Sequence, residues 1–201
     1  GTMMRVDLPT ALKPGQTMSF NVGWSYRVND AKKIRFRTGY EYFPEDKNYV
    51  YENAHFYPRM AAYTAYAGWQ NKPNLGSGEF TLEFGDYDVE ITVPADHVVG
   101  ATGVLANEGE VLSDAQRARM AKAAEAKEPV FIVSPDEAKA AQKKKVKAQK
   151  TWKFSALNVR DFAFASSRKI IWDAKGHKLK REDCSVQTVM AMSLYPPEAE
   201  G

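Results

Sequence analysis

The chain has 201 residues and a formal net charge of +3, with 44% hydrophobic and 26% charged residues. This length permits one large domain, or two small ones, with a substantial buried core. The charge is too small to indicate nucleic-acid binding, and no apolar run approaches the roughly 20 residues that cross a bilayer. The single cysteine, Cys184, excludes an internal disulfide.

The two ends of the sequence carry no recognisable targeting signal. The start, GTMMRVDLP, is polar and strand-like, which argues against a signal peptide. Gly1 is interpreted as a remnant of tag cleavage. The sequence therefore predicts no compartment, and a periplasmic or cell-envelope origin is compatible with it.

Hydrophobic alternation with a period of two dominates the first half of the chain and is typical of half-buried strands. It begins at residues 18–24 and continues into the aromatic run at residues 40–43. Residues 80–84 and 87–93 alternate in the same way on either side of Gly85-Asp86. That dipeptide predicts a tight turn, so these two segments are expected to form a hairpin.

The second half combines further strands with two helices. Each helix is predicted to begin with a capping box, formed by Ser113 with Gln116 and by Ser134 with Glu137. The basic run at residues 138–150 is interpreted as a solvated helix face, with polyanion binding as the alternative. The remaining strands are predicted at residues 98–105, 129–133, 151–159, 162–166, 169–172 and 186–194.

These elements predict a mainly β fold. We expect a β-sandwich of about ten strands in two sheets, with two inserted helices in the region of about residues 113–150. No repeat of solenoid period is present in the sequence.

Metal and nucleophile motifs are missing from the sequence. No His-Glu-x-x-His occurs, and His55, His97 and His177 are far apart with no second ligand at metal-binding spacing. Ser77, in Gly-Ser-Gly, lacks the strand-to-helix setting of a hydrolase nucleophile. We therefore expect no catalytic residue and no metal site in this chain, although a hydrolase that uses a carboxylate pair is a remote third possibility.

Glu52 stands out among the carboxylates. It lies between Tyr51 and Asn53, just before an apolar and basic run, whereas most other acidic residues fit solvent-facing strand positions. Arg59 and Arg160-Asp161 lie among aromatic and apolar neighbours. Such an arginine is predicted to pair with a partly buried carboxylate and to lock two strands together.

Aromatic residues crowd into a band that ends at Trp69. Core and interdomain packing is the leading interpretation, and a ligand platform is the alternative, because aromatic rings serve both purposes. The band consists of Trp24, Tyr26, Tyr40, Tyr42, Phe43, Tyr49, Tyr51, Phe56, Tyr57, Tyr63, Tyr66 and Trp69.

Three segments carry a family resemblance. They are YENAHFYPRMAAYTAYAGWQ, GSGEFTLEFGDYDVEITVPADHVVGATGVLANEGEVLS and TWKFSALNVRDFAFASS. Together they resemble the N-terminal domain of the aminopeptidase N family (peptidase family M one), and most closely a bacterial branch of it. The resemblance extends from about Met4 to Tyr195. Met60-Ala61-Ala62 stands where better-known members have a Cys and Asp-Glu-Pro.

The resemblance implies a saddle-shaped β-sandwich that precedes a thermolysin-like catalytic domain. On this basis residues 2–195 are a single non-catalytic N-terminal domain, and residues 196–201 begin a truncated linker toward the absent catalytic domain. The zinc belongs to that catalytic domain, so this chain alone is expected not to be an enzyme. The implied partners are the catalytic domain and, through it, a peptide substrate, with no nucleic acid and no membrane span.

The resemblance also implies a role for Glu52. In relatives, a Gln or Glu of the N-terminal domain reaches into the active site and binds the free amine of the substrate. Glu52 is the position that fits best, and a carboxylate accepts charge-assisted hydrogen bonds from an ammonium group.

The alternative function is a stand-alone β-sandwich module that binds carbohydrate or peptide through the aromatic band from Tyr40 to Trp69. A platform requires several coplanar rings on one open face. The docking function instead predicts an exposed apolar patch in the same stretch, larger than the few hundred Å² typical of monomers.

Overall fold

The predicted mainly β fold is confirmed. The structure is a computed structural model that describes residues 3–34, 37–73, 81–143 and 145–199. These residues form twelve strands, three α-helices and one 3₁₀ helix. In chain order the elements are β1 (Thr38–Phe43), β2 (Asn48–Asn53), β3 (Tyr63–Thr64), β4 (Gly68–Trp69), β5 (Gly85–Pro94), β6 (Val98–Ala101), β7 (Val104–Leu105), α1 (Glu108–Val111), α2 (Asp114–Ala123), β8 (Val130–Val133), α3 (Pro135–Gln142), β9 (Gln149–Val159), β10 (Phe164–Ser167), β11 (Ile171–Lys180), β12 (Val186–Tyr195) and the 3₁₀ helix (Pro197–Ala199).

The strands form several open antiparallel sheets in a sandwich-like arrangement. One sheet has the order β1-β2-β10-β6, and two three-stranded sheets have the orders β12-β11-β8 and β5-β9-β7. Strands β3 and β4 form a short hairpin of their own. Pairings such as β10 with β2 join segments more than 100 residues apart in sequence, so non-local contacts determine the architecture.

The hydrophobic core lies between the second and third of these sheets and the helices. It is built from buried residues between Ile91 and Ala174, with Trp152, Phe162 and Ile171 at its centre. Burial of such apolar surface is the main favourable term in folding. Helices α2 and α3 begin with the two predicted capping boxes, at Ser113 and Ser134.

The predicted hairpin at residues 80–84 and 87–93 is wrong. Gly85–Pro94 forms one continuous strand, β5, which pairs along its length with β9. In that register Ile91 lies opposite Trp152, so its apolar face reaches the core. Long-range burial therefore outweighs the local turn preference of Gly85-Asp86. Phe80 lies outside the described residues, and residues 81–84 lie outside the strands.

Three other strand predictions need correction. Residues 18–24 form no strand, although their apolar residues alternate. The segment at 98–105 divides into β6 and β7 because Gly103, at φ +90°, turns the chain between them. Strand β11 continues to Lys180, beyond the predicted end at residue 172, so His177 lies in a strand.

Candidate functional site

Glu52 lies on β2, an inner strand of the four-stranded sheet. The regular alternation of β2 buries Asn48 and Val50, and it places Glu52 on the same face, where the side chain is exposed. Glu52 forms no ion pair with any described residue. It is therefore an open carboxylate that a ligand can reach.

The neighbours of Glu52 across the sheet are small. Gly39 of β1 and Ala165 of β10 lie directly opposite Glu52, and Gly100 of β6 lies opposite Ala165. The Leu194 side chain fills the Gly100 end of this row, where an added Cβ would overlap it. At the other end of the row, Ala31 and the Asn29 carbonyl lie against Gly39, and the Glu52 carboxylate projects beside these small residues.

A second carboxylate lies near Glu52 on the same face. Glu41 of β1 lies opposite Val50, which makes it a diagonal cross-strand neighbour of Glu52. The Lys32 ammonium lies 3.4 Å from the Glu41 carboxylate and neutralises it at the surface. Of the two carboxylates, Glu52 is therefore the one left to receive a cation.

Asp161 ties the segment after β2 to the chain between β9 and β10. One carboxylate oxygen accepts hydrogen bonds from the Tyr57 hydroxyl at 3.0 Å and from the Phe162 backbone N–H at 2.8 Å. The other lies 2.8 Å from the Arg59 guanidinium and 3.3 Å from His55 Nε2. The predicted pairing of Arg59 with a carboxylate is therefore confirmed.

This Asp161 cluster has the features of a structural lock. Burial, together with hydrogen bonds to Tyr87 and Asp161, raises the pKa of Tyr57 well above its usual range, so Tyr57 remains a neutral donor. His55 adopts a left-handed backbone conformation at φ +56°, which turns the chain as it leaves β2. Arg160 takes no part in the cluster; its guanidinium lies 4.6 Å from the Phe84 ring centre.

Four tyrosines form a ladder across β1 and β2. Tyr40, Tyr42, Tyr49 and Tyr51 contact one another with ring centres 4.8 to 6.3 Å apart. Only Tyr49 and Tyr51 are nearly parallel, at 22°, whereas the other pairs are inclined by 42 to 73°. A flat platform for sugars would need rings in one plane, so this geometry does not favour one.

Five further members of the aromatic band are exposed, whereas Phe43, Phe56 and Tyr57 are partly buried. We call Trp24, Tyr26, Tyr63, Tyr66 and Trp69 the exposed aromatic set; Tyr66 is 89% exposed and the others are about half exposed. The Trp24 indole donates to the Phe56 carbonyl at 3.0 Å, and the Tyr26 hydroxyl donates to Asn53 Oδ1 at 3.2 Å. The stretch from Tyr40 to Trp69 is therefore not wholly internal. A wholly internal stretch would have excluded docking there.

The total accessible surface is larger than that of a compact monomer. The accessible area is 14438 Å², whereas a compact monomer of 22.5 kDa exposes about 9,500 Å². Residues 3–29 lie outside the strands and helices and are nearly all exposed, so this part of the chain, together with the exposed aromatic set, contributes to the excess.

The histidines do not come together. His97 is buried and shares a 2.9 Å hydrogen bond with Ser166, while His55 belongs to the Asp161 cluster and His177 is exposed on β11. Burial and the nearby Arg168 guanidinium lower the pKa of His97 to about 4. Among the described residues no group of three or more His, Cys, Asp or Glu could hold a metal ion. Ser77 lies outside the described residues.

Sequence reasoning missed one buried charge cluster. The Lys169 side chain is fully buried, and its ammonium lies 2.5 Å from Asp46, 2.6 Å from Glu198 and 3.9 Å from the Phe43 ring centre. Asp46 is 123 residues and Glu198 is 29 residues from Lys169 along the chain, so no local motif could have indicated them. Glu198 lies on the 3₁₀ helix, within the segment that was assigned to the linker.

The comparisons with known proteins provide no further evidence. No family model, no curated protein and no solved structure matches the chain. No helix in the part of the chain that the structure describes has the length and hydropathy of a membrane span. The functional argument therefore depends on the residues and their geometry.

Proposed function

We propose that this chain is the non-catalytic N-terminal domain of a zinc-dependent aminopeptidase-type metallopeptidase. It packs against the catalytic domain and forms one wall of the substrate cleft. Zinc and the hydrolytic residues are supplied by the catalytic domain. The single observation that carries the proposal is the exposed aromatic set of a chain that has a well-formed core elsewhere.

The exposed aromatic set supports docking to a folded domain. Tyrosine and tryptophan are enriched at the centres of protein interfaces, where they bury much area at a low cost in side-chain entropy. Tyr63 and Trp69 contact edge to face across the β3–β4 hairpin with ring centres 5.3 Å apart. The hairpin thus presents a paired aromatic surface to a partner.

Glu52 supports a place beside the substrate. An exposed carboxylate between Gly39 and Ala165 can accept hydrogen bonds from the free amine of a peptide without competing side chains. The tyrosine ladder lies on the opposite face of β2, because successive strand residues alternate. The alternative function, a glycan or peptide platform, would use that other face.

The first test is to read the coding sequence that follows codon 201. The proposal predicts a His-Glu-x-x-His motif with a glutamate about twenty residues further on, the spacing of a zinc peptidase helix pair. A stop codon or an unrelated domain at that point would refute the proposal and would favour the stand-alone binding module. A glycan array would then test the tyrosine ladder.

The second test addresses docking directly. Trp69→Ser should weaken binding of the catalytic domain to this chain, measured by titration calorimetry with the two parts produced separately. Leu179→Ser is a matched control, because Leu179 of β11 is equally exposed, at 54%. Equal effects of the two substitutions would exclude the exposed aromatic set as the interface.

The third test separates Glu52 from Glu41. In the joined enzyme, Glu52→Ala should raise KM for peptides with a free amino terminus by about tenfold or more, since a hydrogen bond to a charged group is lost. Glu41→Ala should leave KM unchanged, because Lys32 neutralises that carboxylate. Unchanged kinetics for Glu52→Ala would remove Glu52 from the substrate site.

A further inference from the structure

Strand β12 lies at one edge of the three-stranded sheet β12-β11-β8 and pairs only with β11. In an antiparallel pair, every second residue of a strand directs its backbone N–H and C=O groups away from the partner strand. Among the described residues, β12 forms no backbone hydrogen bond except with β11. The outward backbone groups of β12 are therefore open to another strand.

β12 has none of the features that usually protect such an edge. Natural edge strands are short, or they carry charged residues, proline or a bulge, because an open edge otherwise pairs with another chain. β12 has ten residues, VQTVMAMSLY, and contains neither a charged residue nor a proline. Its register with β11 is unbroken from Val186 to Tyr195.

Strand β5 shows the usual protection and provides an internal comparison. It also has ten residues and also lies at a sheet edge, in the order β5-β9-β7. Asp86, Asp88 and Glu90 are exposed along it, and Pro94 ends it. The other edge strands of the three larger sheets, β1, β6, β7 and β8, have six residues or fewer. Among the described strands, β12 is therefore the one long edge without charges.

The side chains of β12 also lack a neighbour beyond the edge. Met192 lies opposite Ala174, which is fully buried, yet Met192 is 46% exposed. Val186 and Val189 are exposed as well. Residues directly opposite each other lie on the same face of a sheet, so a further strand beside β12 would extend the face that Met192 shares with Ala174.

The open edge determines the chemistry of its occupant. Outward N–H and C=O groups are satisfied by another extended backbone, which adds a strand to the sheet. A second copy of β12 fits this requirement, because two uncharged strands placed antiparallel bring no like charges together. The charged residues of the β11–β12 hairpin lie on β11 and in the turn, and Lys178 of β11 pairs with Glu125.

We propose that two copies of this chain associate through β12. The two β12 strands pair antiparallel about a twofold axis and join two three-stranded sheets into one sheet of six strands. The pairing closes after two copies, because both copies use the same edge. A ten-residue strand is only about 33 Å long, so the interface is smaller than that of an obligate dimer and the dimer dissociates on dilution. The proposal does not rest on the proposed peptidase function, since Glu52 and the exposed aromatic set lie outside this sheet.

Sedimentation velocity of the whole chain, over a series of concentrations, tests the dimer. A reversible shift from the 22.5 kDa monomer to a species of twice that mass is expected. Val189→Lys should weaken the association by about tenfold or more, because it places like charges on facing strands near the twofold axis. Leu157→Lys is the matched control and should have no effect, since Leu157 is also an exposed apolar residue but lies on β9, an inner strand.

Amide hydrogen exchange locates the interface in the original protein, and it remains informative if Val189→Lys fails to fold. Alternate amides of β12 should exchange more slowly at high than at low protein concentration, whereas the amides of β5 should exchange equally at both. Trp69→Ser should leave the association unchanged, and its loss in that variant would place the interface on the exposed aromatic set and overturn the proposal. A chain that stays monomeric would leave the edge to a strand of another protein and would also overturn it. A dimer that Val189→Lys leaves intact would do the same.

Discussion

Residues 3–73 and residues 81–199, here called the N-terminal and C-terminal regions, contain similar strand-forming sequence but bury it very differently. The C-terminal region supplies sixteen of the eighteen buried hydrophobic residues, and the N-terminal region supplies only Val50 and Ala62. The exposed large hydrophobics show the reverse, since fifteen of twenty-four belong to the N-terminal region. Apolar alternation therefore predicts that a segment can form a half-buried strand, but it does not predict whether the fold buries that segment.

The difference follows from the partners that each strand finds. In the C-terminal region β5 pairs with β9 and β11 pairs with β12 over nine or more residues, and helices cover the result. In the N-terminal region β3 and β4 have only two residues each, and residues 18–24 have no partner strand among the described residues. The N-terminal region therefore leaves many of its apolar side chains exposed.

Ion pairs and a hydrogen bond join the two regions. Asp161 of the C-terminal region binds Arg59, Lys169 binds Asp46, and Arg168 donates to Asn48 at 3.1 Å. These contacts fix the sheet that carries Glu52 against the core. We therefore expect that removing one of these contacts lowers the unfolding free energy more than removing an exposed aromatic residue does.

The largest effect is expected from Lys169→Met. This substitution leaves the Asp46 and Glu198 carboxylates without their buried cation, and breaking a buried pair in this way costs about 3–5 kcal/mol of unfolding free energy. Urea denaturation, followed by tryptophan fluorescence, measures the change.

Lys178→Met provides the matched control for Lys169. Lys178 pairs with Glu125 at the same 2.5 Å distance, but both side chains are more than half exposed. Its loss should cost less than about 1 kcal/mol. Equal costs for the two lysines would mean that the Lys169 cluster does not join the two regions.

A smaller effect, dependent on pH, is expected from His97. Its pKa is about 4 in the folded protein and near 6.5 in an unfolded chain, so the unfolded state takes up a proton first as the pH falls. The unfolding free energy should therefore decrease between pH 6.5 and pH 4, by up to about 3 kcal/mol from this residue, and the contribution is fully present above pH 6.5.

Denaturation across this pH range in His97→Asn isolates the effect from the titration of carboxylates. The variant should lose stability less steeply than the original protein as the pH falls. His177→Asn is the control, because His177 is exposed and its replacement should leave the slope unchanged. Parallel pH profiles for the original protein and His97→Asn would contradict a buried, neutral His97.

The elements that could be predicted from the sequence are those with local causes. The capping boxes at Ser113 and Ser134 lie within three residues of their partners, and both helices begin there. The strand predicted at residues 186–194 corresponds to β12 because its alternation is uninterrupted. The hairpin at Gly85-Asp86 was wrong because a partner strand more than sixty residues away competed with a local turn.

The candidate sites were predictable only in part, for the same reason. The pairing of Arg59 with a carboxylate was predicted from the aromatic and apolar neighbours of Arg59, but its partner Asp161 is about 100 residues away. Lys169 and Asp46 are 123 residues apart. Only the fold brings such side chains together.

The smallest effect is expected from Tyr66→Ser in the β3–β4 turn. Tyr66 is 89% exposed, so its removal should change the unfolding free energy of the isolated chain by less than about 0.5 kcal/mol. Urea denaturation tests this directly. A loss of more than about 1 kcal/mol would show that the hairpin packs within the N-terminal region, and the contrast between the two regions would then weaken. The contrast would be sharper if Tyr66→Ser left the stability of the isolated chain unchanged but weakened binding of the catalytic domain. Tyr66 would then contribute to the interface and not to the stability of its own domain.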